Sequence, residues 1–307
     1  MLALVLSGFF ALSQAAPAKT LVKYSNEPSD MPANLWRDLK TAKAFAKQVT
    51  GPPEILANWT ASGDDLCSWE GFYCYPNPDN NILSLAAIDF NEFYLSGKLR
   101  LTGFLDKFPD LSLFHANTNN FSGQVPDISQ MHYLFEIDLS NNQFSGPFPQ
   151  NLLRANQLTF LDLRYNKFSG PIPGNVFTAY PDLDALFLND NKFSGQIPNE
   201  IGAFPGSYIV LANNHLSGPI PDTLGNAGSL LEFMASGNKL FGSIPGSIGS
   251  IANLTLFDVS NNKLTGTIPE TLCASKSLQV LNVTGNRLSN DLGPICQASK
   301  ANGILLM

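Results

Sequence analysis

Asp138, Asp162 and His115 are the residues of this chain whose types and spacing come nearest to acid–base chemistry. The two aspartates hold the same position in consecutive copies of a repeated frame. If each copy contributes one strand to a parallel sheet, their carboxyls stand ~5 Å apart, one strand spacing. A retaining glycosidase pair has that separation. His115 holds the equivalent position one copy earlier, next to Asp138, where it would be a base oriented by a carboxylate. The chemistry stops there. No placed nucleophile with oxyanion donors accompanies the histidine. No aromatic sugar platform or lid insertion flanks the aspartates. A repeat sets Asp beside Asp whether or not chemistry follows. The expectation is a binding protein and not an enzyme, with no cofactor and no metal.

The frame that positions these residues is marked by eight asparagines: Asn119, Asn142, Asn166, Asn191, Asn214, Asn238, Asn262 and Asn286, spaced 23 to 25 residues apart. Around each recurs a pattern such as Leu134-x-x-Ile137-x-Leu139-x-x-Asn142-x-Phe144-Ser-Gly146-x-Phe148-Pro149. A period of ~20–29 residues with this pattern is the leucine-rich-repeat signature. Alternating apolar and variable positions within it predict a short strand buried on one face. One such strand cannot bury its face alone, whereas stacked copies can. The chain is therefore expected to be an α/β solenoid, a right-handed superhelix with a concave parallel β-sheet. Each asparagine is expected to satisfy backbone groups inside the turn, joining its own coil to the next. The column two residues later (Phe121, Phe144, Phe168, Phe193, Leu216, Leu240, Leu264, Leu288) is expected to be core, and Leu85–Phe90 to form a degenerate first repeat.

The domain organisation follows. Residues 1–16 have the short apolar run and small residues of a secretory signal peptide, without the usual basic start. Residues 17–81 form an arm and a cap, with helical spacing over 34–49 that Pro52-Pro53 should stop. Residues 82–272 are repeats, 273–296 a last repeat and C-terminal cap, and 297–307 a short, loose tail. Apart from the leader, no apolar stretch is long enough to span a membrane. Formal charge is −7, with 18 Lys and Arg and no basic run. Nucleic-acid binding, which needs clustered cations, is not expected.

Cys67 and Cys74 precede the repeats, and Cys273 and Cys296 bracket the last one. In a secreted chain, one pair at each end of a solenoid suggests two end-cap disulfides. Zinc is the alternative, but no histidine lies near either pair. Sequons at Asn58, Asn120, Asn253 and Asn282 are candidate glycosylation sites. A glycan on Asn282 would cover one end of the concave face.

From about Leu35 to Cys296 the chain resembles plant secreted leucine-rich-repeat proteins. The marks are Cys67-x-Trp69-x-Gly71-x-x-Cys74 and the repeated Leu-Ser-Gly-x-Ile-Pro step. Segments such as Leu113-Phe-His-Ala-Asn117, Phe135-Glu-Ile-Asp-Leu-Ser-Asn-Asn142 and Leu186-Phe-Leu-Asn-Asp-Asn191 resemble the repeat domain of the leucine-rich repeat extensins. The resemblance implies a wall protein of the apoplast that binds small basic cysteine-rich peptides. The Ser-Pro-rich tail of extensins is missing after Cys296, so wall attachment through one is not expected. Two other readings share this architecture: a polygalacturonase-inhibitor-like defence protein, and a passive wall glycoprotein contacting polysaccharide.

The partner surface is expected on the concave face. There Asp138, Asp162 and Asp258, with His115 and Arg164, adjoin an apolar strip of Phe187, Val210 and Met234 beside Tyr208. The strip is expected to be exposed and to take an apolar residue of a peptide or another extracellular protein.

Overall fold

The computed structural model describes residues 31–307. The expected signal peptide and residues 19–30 of the arm lie outside the described residues. Eleven strands form one sheet, and nine of them come from successive coils: Leu83–Asp89, Leu113–His115, Glu136–Asp138, Phe160–Asp162, Ala185–Phe187, Tyr208–Val210, Glu232–Met234, Leu256–Asp258 and Val280–Asn282. They pair parallel and in register, so equivalent residues of adjacent coils stand side by side. The alternating pattern is realised as expected. Ile88, Phe114, Ile137, Leu161, Leu186, Ile209, Phe233, Phe257 and Leu281 all have no accessible surface.

The asparagines knit the coils together. Asn142 donates through Nδ2 to the carbonyls of Leu139 and Ser140 in its own coil and of Ala116 in the preceding one, at 2.7 to 3.2 Å. Its Oδ1 accepts from Phe121 N at 2.8 Å. The neighbour served is the preceding coil, not the next. Losing such a buried amide costs about 1–3 kcal/mol. Beneath them Phe121, Phe144, Phe168 and Phe193 form a stack with centroids 6.1 to 6.5 Å apart.

Two features of the coil exceed the sequence expectation. The residue before each ladder asparagine has a left-handed backbone: Thr118, Asn141, Tyr165, Asp190, Asn213, Gly237, Asn261 and Gly285, with φ from 51° to 68°. Asn, Asp and Gly tolerate this region; Tyr does so at a cost. The segment after each asparagine from Asn142 onward then joins a second parallel sheet of seven strands: Ser145–Gly146, Lys167–Pro171, Lys192–Gly195, His215–Gly218, Lys239–Gly242, Lys263–Gly266 and Arg287–Leu288.

At the N-terminus, helix α1 (Ala33–Ala46) buries Leu35, Asp38, Leu39, Ala42 and Phe45 on the first coil. Phe45 stacks on Phe104 at 4.0 Å. Pro52-Pro53 does not end this helix. The helix closes at Ala46, and Pro53 opens helix α2 (Pro53–Ala61), because proline's fixed φ suits a first helical turn. Trp59 of α2 stacks on Trp69 at 5.9 Å and donates to Glu70 O at 2.8 Å. Gly71 has φ +83°, and a Cβ there would lie 2.6 Å from Asp89 O, so the cap motif needs glycine. Cys67–Cys74 and Cys273–Cys296 are disulfides, and the zinc alternative falls.

The C-terminal end corrects a second expectation. Residues 297–307 are not a loose tail. Helix α3 (Glu270–Cys273) is bonded through Cys273 to helix α4 (Pro294–Ala301), and Glu270 accepts from Ile295 N and Cys296 N at the start of α4. Leu305–Leu306 then adds a final strand beside Leu281 and Asn282, with Leu305 buried.

Candidate functional site

Two columns of side chains point from the concave sheet. The outer one is Asp89, His115, Asp138, Asp162, Phe187, Val210, Met234, Asp258 and Asn282, as the strand register dictates. Two residues earlier, on the same face, run Ala87, Leu113, Glu136, Phe160, Ala185, Tyr208, Glu232, Leu256 and Val280. Two residues later lie Arg164 and Asn189.

The aspartates have a structural task that the sequence reading missed. As the chain leaves each strand, the carboxylate accepts the N–H two residues on. Asp89 bonds Asn91, Asp138 bonds Ser140, Asp162 bonds Arg164 and Asp258 bonds Ser260, at 2.8 to 3.0 Å. These are local side-chain turns. Asp162 has no accessible surface, and its Oδ2 lies 2.9 Å from Arg164 Nε without the alignment of a hydrogen bond. Burial, helped by Asp138, holds the Asp162 carboxyl well above its ordinary range despite Arg164. A carboxyl sealed from water cannot reach a glycosidic bond, so Asp138 and Asp162 are not a glycosidase pair.

His115 does not take Asp138 as its hydrogen-bond partner. Its Nε2 lies 3.1 Å from Glu136 Oε2, diagonally across the strand pair. Burial would lower its pKa, but the Glu136 bond and the charges of Asp138, Asp89 and Glu136 outweigh that and raise it. The ring sits among three carboxylates, on the strands to either side.

The expected exposed apolar strip is closed. Phe187, Val210 and Met234 keep only 5%, 7% and 9% of their surface, packed with Ala185 and Ala212 and flanked by Phe160, Tyr208 and Leu256. The cause is lateral packing. Strands ~4.8 Å apart bring large side chains of one column into contact, and the neighbouring column covers their sides. Arg164 lies over the Phe187 ring, 5.4 Å from its centroid, and shields the other end. Phe187, Val210 and Met234 thus form a floor, not protruding anchors. Half-buried Glu136, beside Phe160, and Tyr208, Glu232, Asp258 and Arg164 rim that floor, and half-buried His115 lies one strand beyond Glu136. Glu136 was not singled out from sequence; its place in the column of Tyr208 and Glu232 was the available signal. Glu232 has its carboxyl raised by burial, with Oε2 unpartnered beside the apolar floor.

Tyr165, with φ +53°, stands 41% exposed at the edge of this face. Of the sequons, Asn120 and Asn253 are exposed. Asn58 is half-buried with Oδ1 accepting from Glu70 N at 2.6 Å. Asn282 is half-buried on the concave face between Asp258 and Leu306, its Oδ1 bonded to Thr284. Among the described residues, no helix is long and apolar enough to cross a membrane, and no group of His, Cys, Asp or Glu could hold a metal ion.

Residues 38–75 match the Leucine rich repeat N-terminal domain family, and residues 133–154, 157–178, 207–227 and 253–275 match the Leucine Rich Repeat. The Arabidopsis thaliana leucine-rich repeat extensin-like protein 2 is 44% identical over 183 residues, covering 59% of this chain and 22% of that protein. The chain thus spans about a fifth of that relative's length. The ectodomain of the Arabidopsis thaliana receptor kinase GASSHO1/SCHENGEN3, solved in complex with CASPARIAN STRIP INTEGRITY FACTOR 2, superposes with a TM-score of 0.73 at 29% identity, over 83% of this chain and 30% of that one. A plant peptide hormone receptor, RGFR1 in complex with RGF2, gives 0.62 at 32% identity, over 68% and 33%. The fold, the caps and these likenesses agree: the protein is a plant leucine-rich-repeat solenoid with a leucine-rich-repeat N-terminal cap, similar in sequence to the leucine-rich repeat extensin-like proteins.

Proposed function

We propose that this chain is a secreted, extracellular binding protein of the apoplast that recognises a small basic cysteine-rich peptide on its concave face. The carrying observation is the rim of half-buried carboxylates, Glu136, Glu232 and Asp258, around the closed apolar floor of Phe187, Val210 and Met234. Such a face offers a cationic ligand charge at its edges and a dry surface between. The peptide receptor among its structural neighbours and the net charge of −7 support the same ligand class. Two disulfides and the extensin-like relative support an oxidising, extracellular setting. The chain would act by binding and not by catalysis. A glycan on Asn282 would cover one end of the face and confine the ligand to the coils before it.

The test is interferometry of the purified chain against a folded basic cysteine-rich peptide and its charge-reversed counterpart, at rising salt. The basic peptide alone should bind, more weakly as salt rises, because rim charges govern encounter. Equal binding of both peptides would contradict the proposal.

A further inference from the structure

A second face of the solenoid carries the opposite charge. The residue after the ladder asparagine is Lys167, Lys192, His215, Lys239, Lys263 and Arg287 in six consecutive coils. One position of the repeat thus holds five of the 18 Lys and Arg of an acidic chain, and one of its three His. No run of cations appears in the sequence, because the coil period separates them. The fold gathers them on the outward face of the seven-stranded sheet, opposite to the side that packs Phe168, Phe193, Leu216, Leu240 and Leu264 into the core. All six are exposed, and among the described residues none forms an ion pair.

The register supplies the rest of the surface. Each coil is offset by two residues, so Lys167 stands beside Ser145, Lys192 beside Ser169, His215 beside Ser194, Lys239 beside Ser217, Lys263 beside Phe241 and Arg287 beside Thr265. Cations therefore recur ~8 Å apart, one strand spacing across and two residues along. Hydroxyl-bearing side chains lie between them. Phe241, at 52% exposure, is the one aromatic ring on this row.

We propose that this face binds a linear carboxylated polysaccharide, a polyuronate, lying across the seven strands. Lysines would meet the carboxylates of alternate sugars, Ser and Thr would meet sugar hydroxyls, and Phe241 would stack against one ring. The match is one of charge density. Single cations separated by hydroxyls suit a polymer with one charge per sugar, whereas duplex DNA carries a charge every ~1.7 Å and is held by clustered cations. The site is independent of the concave peptide face, so the two readings stand or fall separately.

The experiment is interferometry of the purified chain over immobilised de-esterified polygalacturonate, with dextran and duplex DNA as comparison polymers. Wild type should bind polygalacturonate, losing affinity steadily with salt, and should bind dextran undetectably and DNA more weakly. The variant K167Q/K192Q/K239Q/K263Q should lose at least tenfold in affinity and flatten the salt dependence, and F241A should lose about threefold. Matching Lys→Arg replacements should restore binding, which separates charge loss from misfolding. Concave-face variants E136Q and D258N should bind as wild type. Failure of wild type to bind at low salt, retention of binding by the quadruple Gln variant, equal binding of dextran, or tighter binding of DNA would each overturn the proposal.

Discussion

Arg164 and Asp162 lie 2.9 Å apart, Nε to Oδ2, in the middle of the concave sheet, and Arg164 also covers the ring of Phe187. One guanidinium thus seals a buried carboxyl on one side and the apolar floor on the other. The ion pair and the cluster form one structural unit at the junction of the acidic and apolar ends of the face. Residues that look like ligand contacts in sequence are here part of what holds the face in shape.

Phe187→Ala should therefore act on stability before it acts on binding. Truncating a buried phenylalanine costs about 3–5 kcal/mol, from lost transfer energy and the cavity left. Arg164 would lose its cover as well. Denaturant unfolding should show this loss, with Phe187→Leu much milder. Wild-type stability of Phe187→Ala would mean that the floor is loosely packed.

Stability should fall as pH rises. Asp38 of α1 is fully buried, and burial raises its carboxyl to about 6 from 3.8, against the opposing pull of Arg37. The native state therefore binds this proton more tightly than the unfolded state, and its contribution is lost between pH ~4 and ~6, amounting to about 3 kcal/mol at most. His115, with its pKa raised from 6.5, adds stability below that value that fades as pH rises through the folded pKa. Thermal melts from pH 4 to 8 should show the decline, and Asp38→Asn should remove its lower portion. A rise in stability over pH 4 to 6 would contradict the assignment.

Tyr165 should be a strained residue. Its backbone is left-handed, φ +53°, at a position where Asn141, Asp190, Asn213 and Asn261 take the same conformation in four other coils and Gly237 and Gly285 in two more. Tyr165→Asn should stabilise the chain by about 1 kcal/mol. If the exposed ring also contacts the peptide, the same variant should bind it more weakly, the trade expected where strain is kept for function. A destabilised Tyr165→Asn would show that the ring is needed for packing.

How much of this was legible in the sequence depends on which contacts lie within a period. The asparagine ladder and the inward columns follow from residues repeated at fixed spacing, and both disulfides from the placing of one cysteine pair at each end of the repeats. The second sheet and the left-handed column were not read, though a basic residue after each asparagine from Asn166 to Asn286, and Asn, Asp or Gly before six of the eight, carried the signal. Closure of Phe187, Val210 and Met234 was misjudged because exposure depends on side chains in the neighbouring strands. The strand Leu305–Leu306 is too short to show alternation, and docking on Leu281 and Asn282 defines it.

Opening Cys273–Cys296 should loosen the C-terminal end first. The bond closes a loop of 23 residues, and a cross-link of that span stabilises by about 3 kcal/mol in the chain-entropy account. A Cys273→Ser/Cys296→Ser variant should lose about that much. It should also expose the amides of α4 and the last strand to hydrogen exchange before those of the central coils. Uniform exchange along the chain would mean that the cap is not the weak point.

Carboxyl footprinting of the complex tests the central claim most directly. The purified chain is labelled at its Asp and Glu side chains with a carbodiimide and an amine, with and without a saturating basic cysteine-rich peptide, and each site is quantified by mass spectrometry. The account predicts that the peptide shields Glu136 and Asp258 on the concave face, several-fold at each. Labelling of the exposed Glu200 and Asp222 on the opposite side should not change. Shielding of Glu200 and Asp222 with Glu136 and Asp258 unaffected would place the ligand elsewhere and contradict the account.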